Sequence, residues 1–132
     1  MANLSIIIVS HSADLGTGLV ALLQQMTHDE VHIASASGLQ DRLGTDATLI
    51  YDALLQCPDE GDILLLFDLG SALLSCEMAI EMLPAEFQDR VSIVDAPLVE
   101  GAVATAVAAS MGEDKDTALR QAQEARDMRK IP

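Results

Sequence analysis

Hydrophobic runs alternate along the chain with segments whose apolar residues recur at helical spacing. Four runs have the length and composition of β-strands, at residues 4–9, 31–35, 63–68 and 91–94. The first and third are almost unbroken apolar sequence, which is typical of central parallel strands covered on both faces. The pattern therefore predicts a parallel sheet with two buried strands at its centre.

The segments between these runs carry apolar residues every three or four positions, the spacing of a helix with one buried face. They predict helices near residues 15–26, 49–54 and 73–82. Residues 98–111 are apolar all round and predict a buried helix suited to a subunit interface. We expect Gly112 to end that helix and a polar helix to follow at about 117–129.

This alternation predicts an α/β fold in a single domain spanning residues 1–132. We expect a three-layer open sheet that is mostly parallel, with four core strands in the order 2-1-3-4 and helices on both faces. In such sheets, ligands and chemistry collect beyond the carboxyl ends of the strands, where the strand order reverses. We therefore expect functional residues directly after the strands.

The composition narrows the classes of partner. Tyr51, Phe67 and Phe87 are the only aromatic residues, so the core is aliphatic and no platform for stacking bases is available. Acidic residues outnumber Lys and Arg by 21 to 7, for a formal charge of −14. This charge disfavours nucleic acid and anionic membranes as partners. It favours a partner with a basic docking face, or it serves only to keep an aliphatic domain in solution.

The two cysteines and the N-terminus point to a reducing compartment. Cys57 and Cys76 are too few for a disulfide framework and lack neighbouring ligands at metal-binding spacing. We expect both to be reduced packing residues on helices, with no metal site and no cofactor. The first apolar run lacks a preceding basic region and is too short for a signal peptide or membrane span, so we expect a cytoplasmic protein.

Two polar clusters follow the central strands. Ser10-His11-Ser12 comes after the first strand, where an imidazole can act as a nucleophile ahead of a helix N-terminus that can meet an anion. Asp68-Leu69-Gly70-Ser71 comes at the end of the third strand. Asp68 can accept a hydrogen bond from one ring nitrogen of His11 and leave the other free to attack. Gly70 allows close approach to an oxyanion, and Ser71 is placed to cap the next helix.

Each cluster also has a purely structural interpretation. His11 can simply bond a neighbouring carbonyl group, and Asp68 and Ser71 can simply cap a helix. Gly44-Thr45-Asp46 begins the second helix. Because such residues begin most helices, this turn can be purely structural or can contact a phosphate. His28 is expected to be solvated, and His32, inside the second strand, to have a half-exposed packing role.

Cationic residues are missing where a self-contained kinase would need them. No Lys or Arg precedes Arg42, and neither strand-end cluster contains one. Transfer of a phosphoryl group needs cations or Mg²⁺ to neutralise charge, and no Walker-type loop is present. A receiver domain would use Asp68 as phosphoacceptor, but it needs an acidic pair after the first strand and a Lys late in the sheet. Here Ser10-His11-Ser12 follows the first strand and no suitable Lys is present, so this function is not favoured. The sequence favours a phosphoryl carrier whose partners supply the cations.

Three motifs resemble a known family. They are IVSHS at 8–12, FDLGSA at 67–72 and APLVEGA at 96–102. In this order they are similar to the phosphotransferase subunit M of bacterial dihydroxyacetone kinase, whose domain is similar to the mannose-type sugar transporter component IIA.

The resemblance implies a role for each site residue. His11 would take a phosphoryl group from the histidine-containing phosphocarrier protein, which enzyme I charges from phosphoenolpyruvate. It would pass the group to ADP in the nucleotide-binding kinase subunit, and the ATP formed would phosphorylate dihydroxyacetone on a third subunit. Asp68 would orient His11, and Ser12, Gly70 and Ser71 would contact the phosphate. The resemblance also implies a homodimer.

Two other functions remain open at this point. A transporter-linked component IIA would hand the phosphoryl group to a sugar-specific IIB protein. A non-catalytic regulatory module would keep the fold and sense the phosphorylation state. The three functions differ in the acceptor of the phosphoryl group.

Overall fold

Four parallel strands form one sheet in the order β2-β1-β3-β4. The structure is a computed structural model that describes residues 3–28 and 30–132, so Met1, Ala2 and Asp29 of the predicted domain lie outside the described residues. The strands are β1 (Leu4–Val9), β2 (His32–Ser35), β3 (Asp62–Phe67) and β4 (Val91–Ile93). The predicted α/β fold and strand order are confirmed, and all four strands are parallel.

Six helices accompany the sheet in the part of the chain that the structure describes. They are α1 (Ala13–Gln24), α2 (Ala47–Leu55), α3 (Gly70–Glu81), α4 (Ala85–Gln88), α5 (Leu98–Ser110) and α6 (Lys115–Glu124). The short α4 was not predicted, because four residues after Pro84 are too few to show a helical period. The predicted last helix ends earlier than expected, since a 3₁₀ turn at Ala125–Asp127 follows α6.

Alternate residues of β1 and β3 point to opposite faces of the sheet, as the strand period requires. Ile6, Ile8 and Leu64 face a layer made by α1, α5 and α6. Ile7 and Leu65 face a layer made by α2 and α3. These five side chains are fully buried, so the two central strands are covered on both faces as their sequence predicts.

Helix α5 is only partly covered. Its small residues Ala102, Ala106 and Ala108 are fully buried in the layer that also contains α6. Val107 and Met111 remain 42% and 70% exposed, respectively. Within the single chain the predicted burial of this helix is therefore incomplete, and the predicted subunit interface stays a prediction. Gly112 ends this helix with φ +74°, as its position predicts.

The register of the sheet brings three strand ends together. Val9 lies opposite Phe67, and Ile8 lies opposite Ser35. The residues that follow β1, β3 and β2 therefore leave the sheet side by side at its carboxyl edge. No helix of the described chain combines the length and the apolar character needed to cross a membrane.

Candidate functional site: a histidine–aspartate pair at the sheet edge

The two strand-end clusters meet directly. His11 follows β1, Asp68 follows β3, and Nδ1 of the histidine lies 2.8 Å from Oδ1 of the aspartate. The main-chain N–H of His11 also donates to Oδ2 of Asp68, at 2.9 Å. The His11 side chain is 23% exposed, so one edge of its ring remains open to a partner.

The carboxylate of Asp68 is held by four donors. Oδ1 accepts from Nδ1 of His11 and from the N–H of Leu69, at 2.8 and 2.7 Å. Oδ2 accepts from the Ser10 hydroxyl and from the N–H of His11, each at 2.9 Å. Burial is the largest single influence and raises the pKa of Asp68, but the hydrogen bonds together outweigh it, so that the pKa lies below its ordinary value. Asp68 is therefore ionised at neutral pH.

An ionised carboxylate decides the protonation of the histidine ring. Because such a carboxylate only accepts hydrogen bonds, the Nδ1 atom of His11 must carry the proton. In the neutral ring Nε2 then has the free lone pair, and the Ser71 hydroxyl, 2.7 Å away, donates to it. The geometry presents Nε2 as the nucleophilic nitrogen and Nδ1 as the anchored one.

Ser71 does not cap α3, which corrects the prediction from the sequence. The N-cap is Leu69, which provides no side-chain hydrogen bond, and Ser71 is the second helical residue. The first N–H groups of a helix have no acceptor within it, so those of Gly70 and Ser71 point beyond the helix end. A Cβ atom at Gly70 would meet nothing within 4 Å, so this approach is open.

Ser12 has a structural task that was not predicted from the sequence. Its side chain accepts a hydrogen bond from Leu15 N–H at 3.2 Å and caps α1. Its own N–H donates to the Ser10 hydroxyl oxygen at 3.1 Å. Ser12 can therefore donate only its hydroxyl proton to an added anion. Gly70 and Ser71, in contrast, offer the N–H groups of a helix start.

The turn before α2, residues 44–46, contacts the main chain of His11. Gly44 N–H donates to the main-chain oxygen of His11 at 2.8 Å. The Thr45 hydroxyl lies 2.8 Å from that of Ser75, and Asp46 caps α2 by accepting from Thr48 N–H. Each of the three residues thus has a structural partner, which favours the structural interpretation of this turn.

A group of serine hydroxyls behind Asp68 was missed as part of the site. Ser10 is fully buried and bonds Asp68, while its N–H donates to Ser37 Oγ at 2.9 Å. Ser35 in turn donates to Ser37 at 2.7 Å. The signal was present as serines at the ends of β1 and β2, but serine is common in turns and the pattern alone does not show that they touch.

The remaining histidines and the cysteines lie outside the site. His28 is exposed, as predicted, and His32 is half-buried in β2, with an Nε2 atom that has no hydrogen-bond partner among the described residues. Burial raises the pKa of the Cys57 thiol to about 11 and that of Cys76 to about 12, which marks both as packing residues. Cys76 lies on α3 as expected, but Cys57 lies in the turn after α2.

Metal ligands do not gather anywhere in the described part of the chain. No group of three or more His, Cys, Asp or Glu side chains there is placed to hold a metal ion. The chemistry that the site offers is that of a nucleophilic imidazole, an orienting carboxylate and a helix start able to meet an anion. Fold and site together define a parallel α/β domain with a histidine–aspartate pair at the carboxyl edge of its sheet.

Comparison with known proteins agrees with this class. The model of the EIIA-man family, described as PTS system fructose IIA component, matches residues 5–119. A crystal structure of a protein of unknown function superposes with a TM-score of 0.85 at 38% identity, over 92% of this chain and 94% of that one. The chain therefore belongs to the EIIA-man family.

Its relatives within this family include phosphoryl donor subunits, named DhaM, of PEP-dependent dihydroxyacetone kinases. The one of kinase 2 from Listeria innocua is 41% identical, over 89% of this chain and 95% of that protein. The one from Escherichia coli is 42% identical over 95% of this chain, and the one from Providencia stuartii is 43% identical over 92%. The chain spans 27% and 26%, respectively, of the lengths of these two proteins.

Proposed function

We propose that the chain is the phosphoryl carrier of a PEP-dependent dihydroxyacetone kinase. His11 accepts the phosphoryl group from the histidine-containing phosphocarrier protein and passes it to ADP bound in the nucleotide-binding kinase subunit. The observation that carries the proposal is the anchoring of Nδ1 on Asp68, which leaves Nε2 at the open sheet edge. The similarity to DhaM subunits supports dihydroxyacetone kinase as the setting.

Loading of the carrier is a displacement at phosphorus. The Nε2 lone pair of His11 attacks the phosphorus atom, a new P–N bond forms, and the P–N bond to the donor histidine breaks with its electron pair on the donor nitrogen. The His11 ring becomes a phosphoimidazolium that keeps its Nδ1 proton. The carboxylate of Asp68 balances the positive charge of this ring at 2.8 Å.

Unloading reverses these roles. An oxygen of the ADP β-phosphate attacks the phosphorus atom, and the P–Nε2 bond breaks with its electron pair returning to Nε2. Because Asp68 keeps the proton on Nδ1, the leaving group is a neutral imidazole, which leaves more readily than an anionic one. Asp68 therefore keeps the phosphoryl group transferable.

The phosphoryl oxygens are held by the start of α3 and by nearby hydroxyls. We assign the N–H groups of Gly70 and Ser71, and the Ser71 hydroxyl once it turns from Nε2, as donors to the phosphoryl oxygens. The Ser12 hydroxyl is a further contact, restricted to its single proton. The groups that touch the His11 ring, Asp68 and Ser71, carry no positive charge, so the donor and acceptor proteins supply the cations for transfer.

The wider setting follows from this role. We propose a cytoplasmic homodimer of single domains spanning residues 1–132 that acts in glycerol metabolism. It is active as a phosphotransferase subunit only with the phosphocarrier protein and with the ADP-binding and dihydroxyacetone-binding kinase subunits. It uses no cofactor of its own.

A labelling experiment tests the assignment. The chain is incubated with labelled phosphoenolpyruvate, enzyme I and the phosphocarrier protein. We expect an acid-labile, base-stable label on the wild type and none on His11→Ala, whereas His28→Ala, an exposed histidine away from the sheet edge, keeps the label. Label that survives His11→Ala would overturn the site.

The second candidate is a sugar-transporter component IIA that passes the group to a IIB protein. It is favoured by the family description, PTS system fructose IIA component. Adding the ADP-loaded kinase subunit to the labelled chain separates the two functions. We expect rapid loss of the label with formation of labelled ATP; a label that is discharged only by a IIB protein would establish the transporter function instead.

A further inference from the structure

The Ser10 side chain occupies a buried position directly behind the reacting pair. Ser10 is fully buried, and its hydroxyl donates to Oδ2 of Asp68 at 2.9 Å. The same oxygen accepts the N–H of Ser12 at 3.1 Å. Loss of this buried hydroxyl would remove the acceptor of the Ser12 N–H and would leave Oδ2 with the N–H of His11 as its remaining donor.

Ser10 is unlike the other three donors to Asp68. Two of those donors belong to His11 and one is the N–H of the adjacent Leu69. The Ser10 hydroxyl is the side-chain donor to this carboxylate that comes from outside the His11–Asp68 pair. With Oδ2 held by Ser10, the other oxygen faces Nδ1 of the histidine ring.

The main chain of Ser10 is held as firmly as its side chain. Its N–H donates to Ser37 Oγ at 2.9 Å, and its carbonyl oxygen accepts the N–H of Gly38 at 2.9 Å. Ser37 also accepts from Ser35 at 2.7 Å. The end of β2 therefore fixes the residue from which the hydroxyl reaches Asp68, and the hydroxyl has little freedom to move.

We propose that Ser10 is a positioning residue for phosphoryl transfer: its buried hydroxyl holds the Asp68 carboxylate in the orientation that keeps the His11 proton on Nδ1. The inference rests on the proposed function of His11. Without the hydroxyl, Oδ2 keeps only the N–H of His11, so the carboxylate is held less firmly and the preference of the ring for the Nδ1–H tautomer weakens. A ring with its proton on Nε2 has no lone pair there to attack phosphorus.

The tautomer of His11 can be read without any phosphoryl donor. We would measure the ¹⁵N NMR shifts of the ring in the unphosphorylated full chain at neutral pH, in the wild type and in Ser10→Ala. The wild type is expected to show a protonated Nδ1 and an unprotonated Nε2. In Ser10→Ala the population with the proton on Nε2 is expected to rise, and Ser10→Thr, which keeps a hydroxyl, is expected to restore the wild-type shifts.

The transfer rate provides the second measurement. Loss of a group that orients a ligand of a reacting centre typically costs about 10- to 100-fold in activity at metal sites, and we expect a loss of this size in the rate at which Ser10→Ala is labelled by the phosphocarrier protein. The matched control is Ser5→Ala, which removes a buried hydroxyl from β1, five residues before Ser10. That variant is expected to keep wild-type ring shifts and labelling rate.

Ser10→Cys keeps a weak donor in a somewhat larger side chain and provides a second variant if the alanine variant does not fold. It is expected to fall between Ser10→Ala and Ser10→Thr. Wild-type ring shifts and rates in Ser10→Cys or Ser10→Ala would overturn the positioning role. A wild type that is never labelled at His11 would overturn the proposed function instead, while the shifts would still report on Ser10.

Discussion

At the scale of single residues, the site depends on how one carboxylate is surrounded. Burial by itself would raise the pKa of Asp68 and favour its neutral form. Donors from His11, Ser10 and Leu69 reverse this effect and lower the pKa below its ordinary value of 3.8. The folded state therefore prefers the ionised carboxylate more strongly than the unfolded state does.

This preference makes a prediction about stability and pH. A carboxyl group with a lowered folded pKa stabilises the protein above its unfolded pKa, and this contribution is lost as the pH falls through the folded value. At neutral pH we expect Asp68→Asn to be less stable than the wild type by about 1–3 kcal/mol, because hydrogen bonds to a charged acceptor are lost. Below pH 3.8 the difference should narrow.

Urea unfolding at neutral and acid pH measures this difference. Asp52→Asn, which makes the same chemical change at an exposed position of α2, serves as the control and should follow the wild type at neutral pH. A gap between Asp68→Asn and the wild type that is unchanged or wider in acid would contradict the account of Asp68.

At the scale of elements, α1 shows how close packing supports the site. Gly16 is buried on the side of α1 that faces the end of β2. A Cβ atom there would overlap the hydroxyl oxygens of Ser35 and Ser37 and lie 2.7 Å from Ser37 Cβ. Gly18, two residues later on the same helix, would place a Cβ in open space. Only one of the two glycines is required by the fold.

The two glycines form a matched pair for mutation. Gly18→Ala is expected to stabilise the protein by about 0.5–1 kcal/mol, because alanine is the better helix former. Gly16→Ala gains the same propensity but forces α1 away from the serine hydroxyls, so we expect a net loss of about 1–3 kcal/mol. Thermal or urea unfolding of both variants provides the measurement, and a Gly16→Ala variant as stable as Gly18→Ala would show that the contact is not restrictive.

At the scale of the whole molecule, the acidic charge dominates the electrostatics. The chain carries a net charge of −14, whereas three ion pairs involving Lys or Arg are formed among the described residues. Those pairs lie at the surface, where each contributes about 0–1 kcal/mol. Self-repulsion between the many acidic groups should therefore outweigh the attraction within these pairs.

The balance of repulsion and attraction predicts the effect of salt. Because added NaCl screens both effects and the repulsion is larger, the melting temperature should rise as the NaCl concentration increases from low to physiological values. Scanning calorimetry across this range gives the measurement. Arg126→Gln, which removes the contact with Asp95, should show the same upward trend. A melting temperature that falls with salt would mean that the ion pairs dominate.

The hydrophobic pattern was sufficient to predict the sheet and the residue types that lie at its edge. Near-continuous apolar runs at β1 and β3 require cover on both faces, and parallel strands bring their carboxyl ends to one edge. The proximity of His11 and Asp68 follows from these two facts. The elements themselves follow less closely: α4 is too short to show a helical period, and the exposed side of α5 depends on which elements reach that helix.

How the site residues bond to one another could be seen only in the folded chain. Whether Ser71 caps its own helix or bonds Nε2 of His11 depends on how α3 leaves the sheet relative to β1, and the two residues are 60 positions apart. The contact of Ser10 with Asp68 likewise spans 58 positions. Local patterns carry periodicity and capping preferences, whereas hydrogen bonds across such distances are set by strand register and loop geometry. The sequence therefore predicted which residue types lie at the edge of the sheet. It did not predict which ring nitrogen of His11 bonds Asp68.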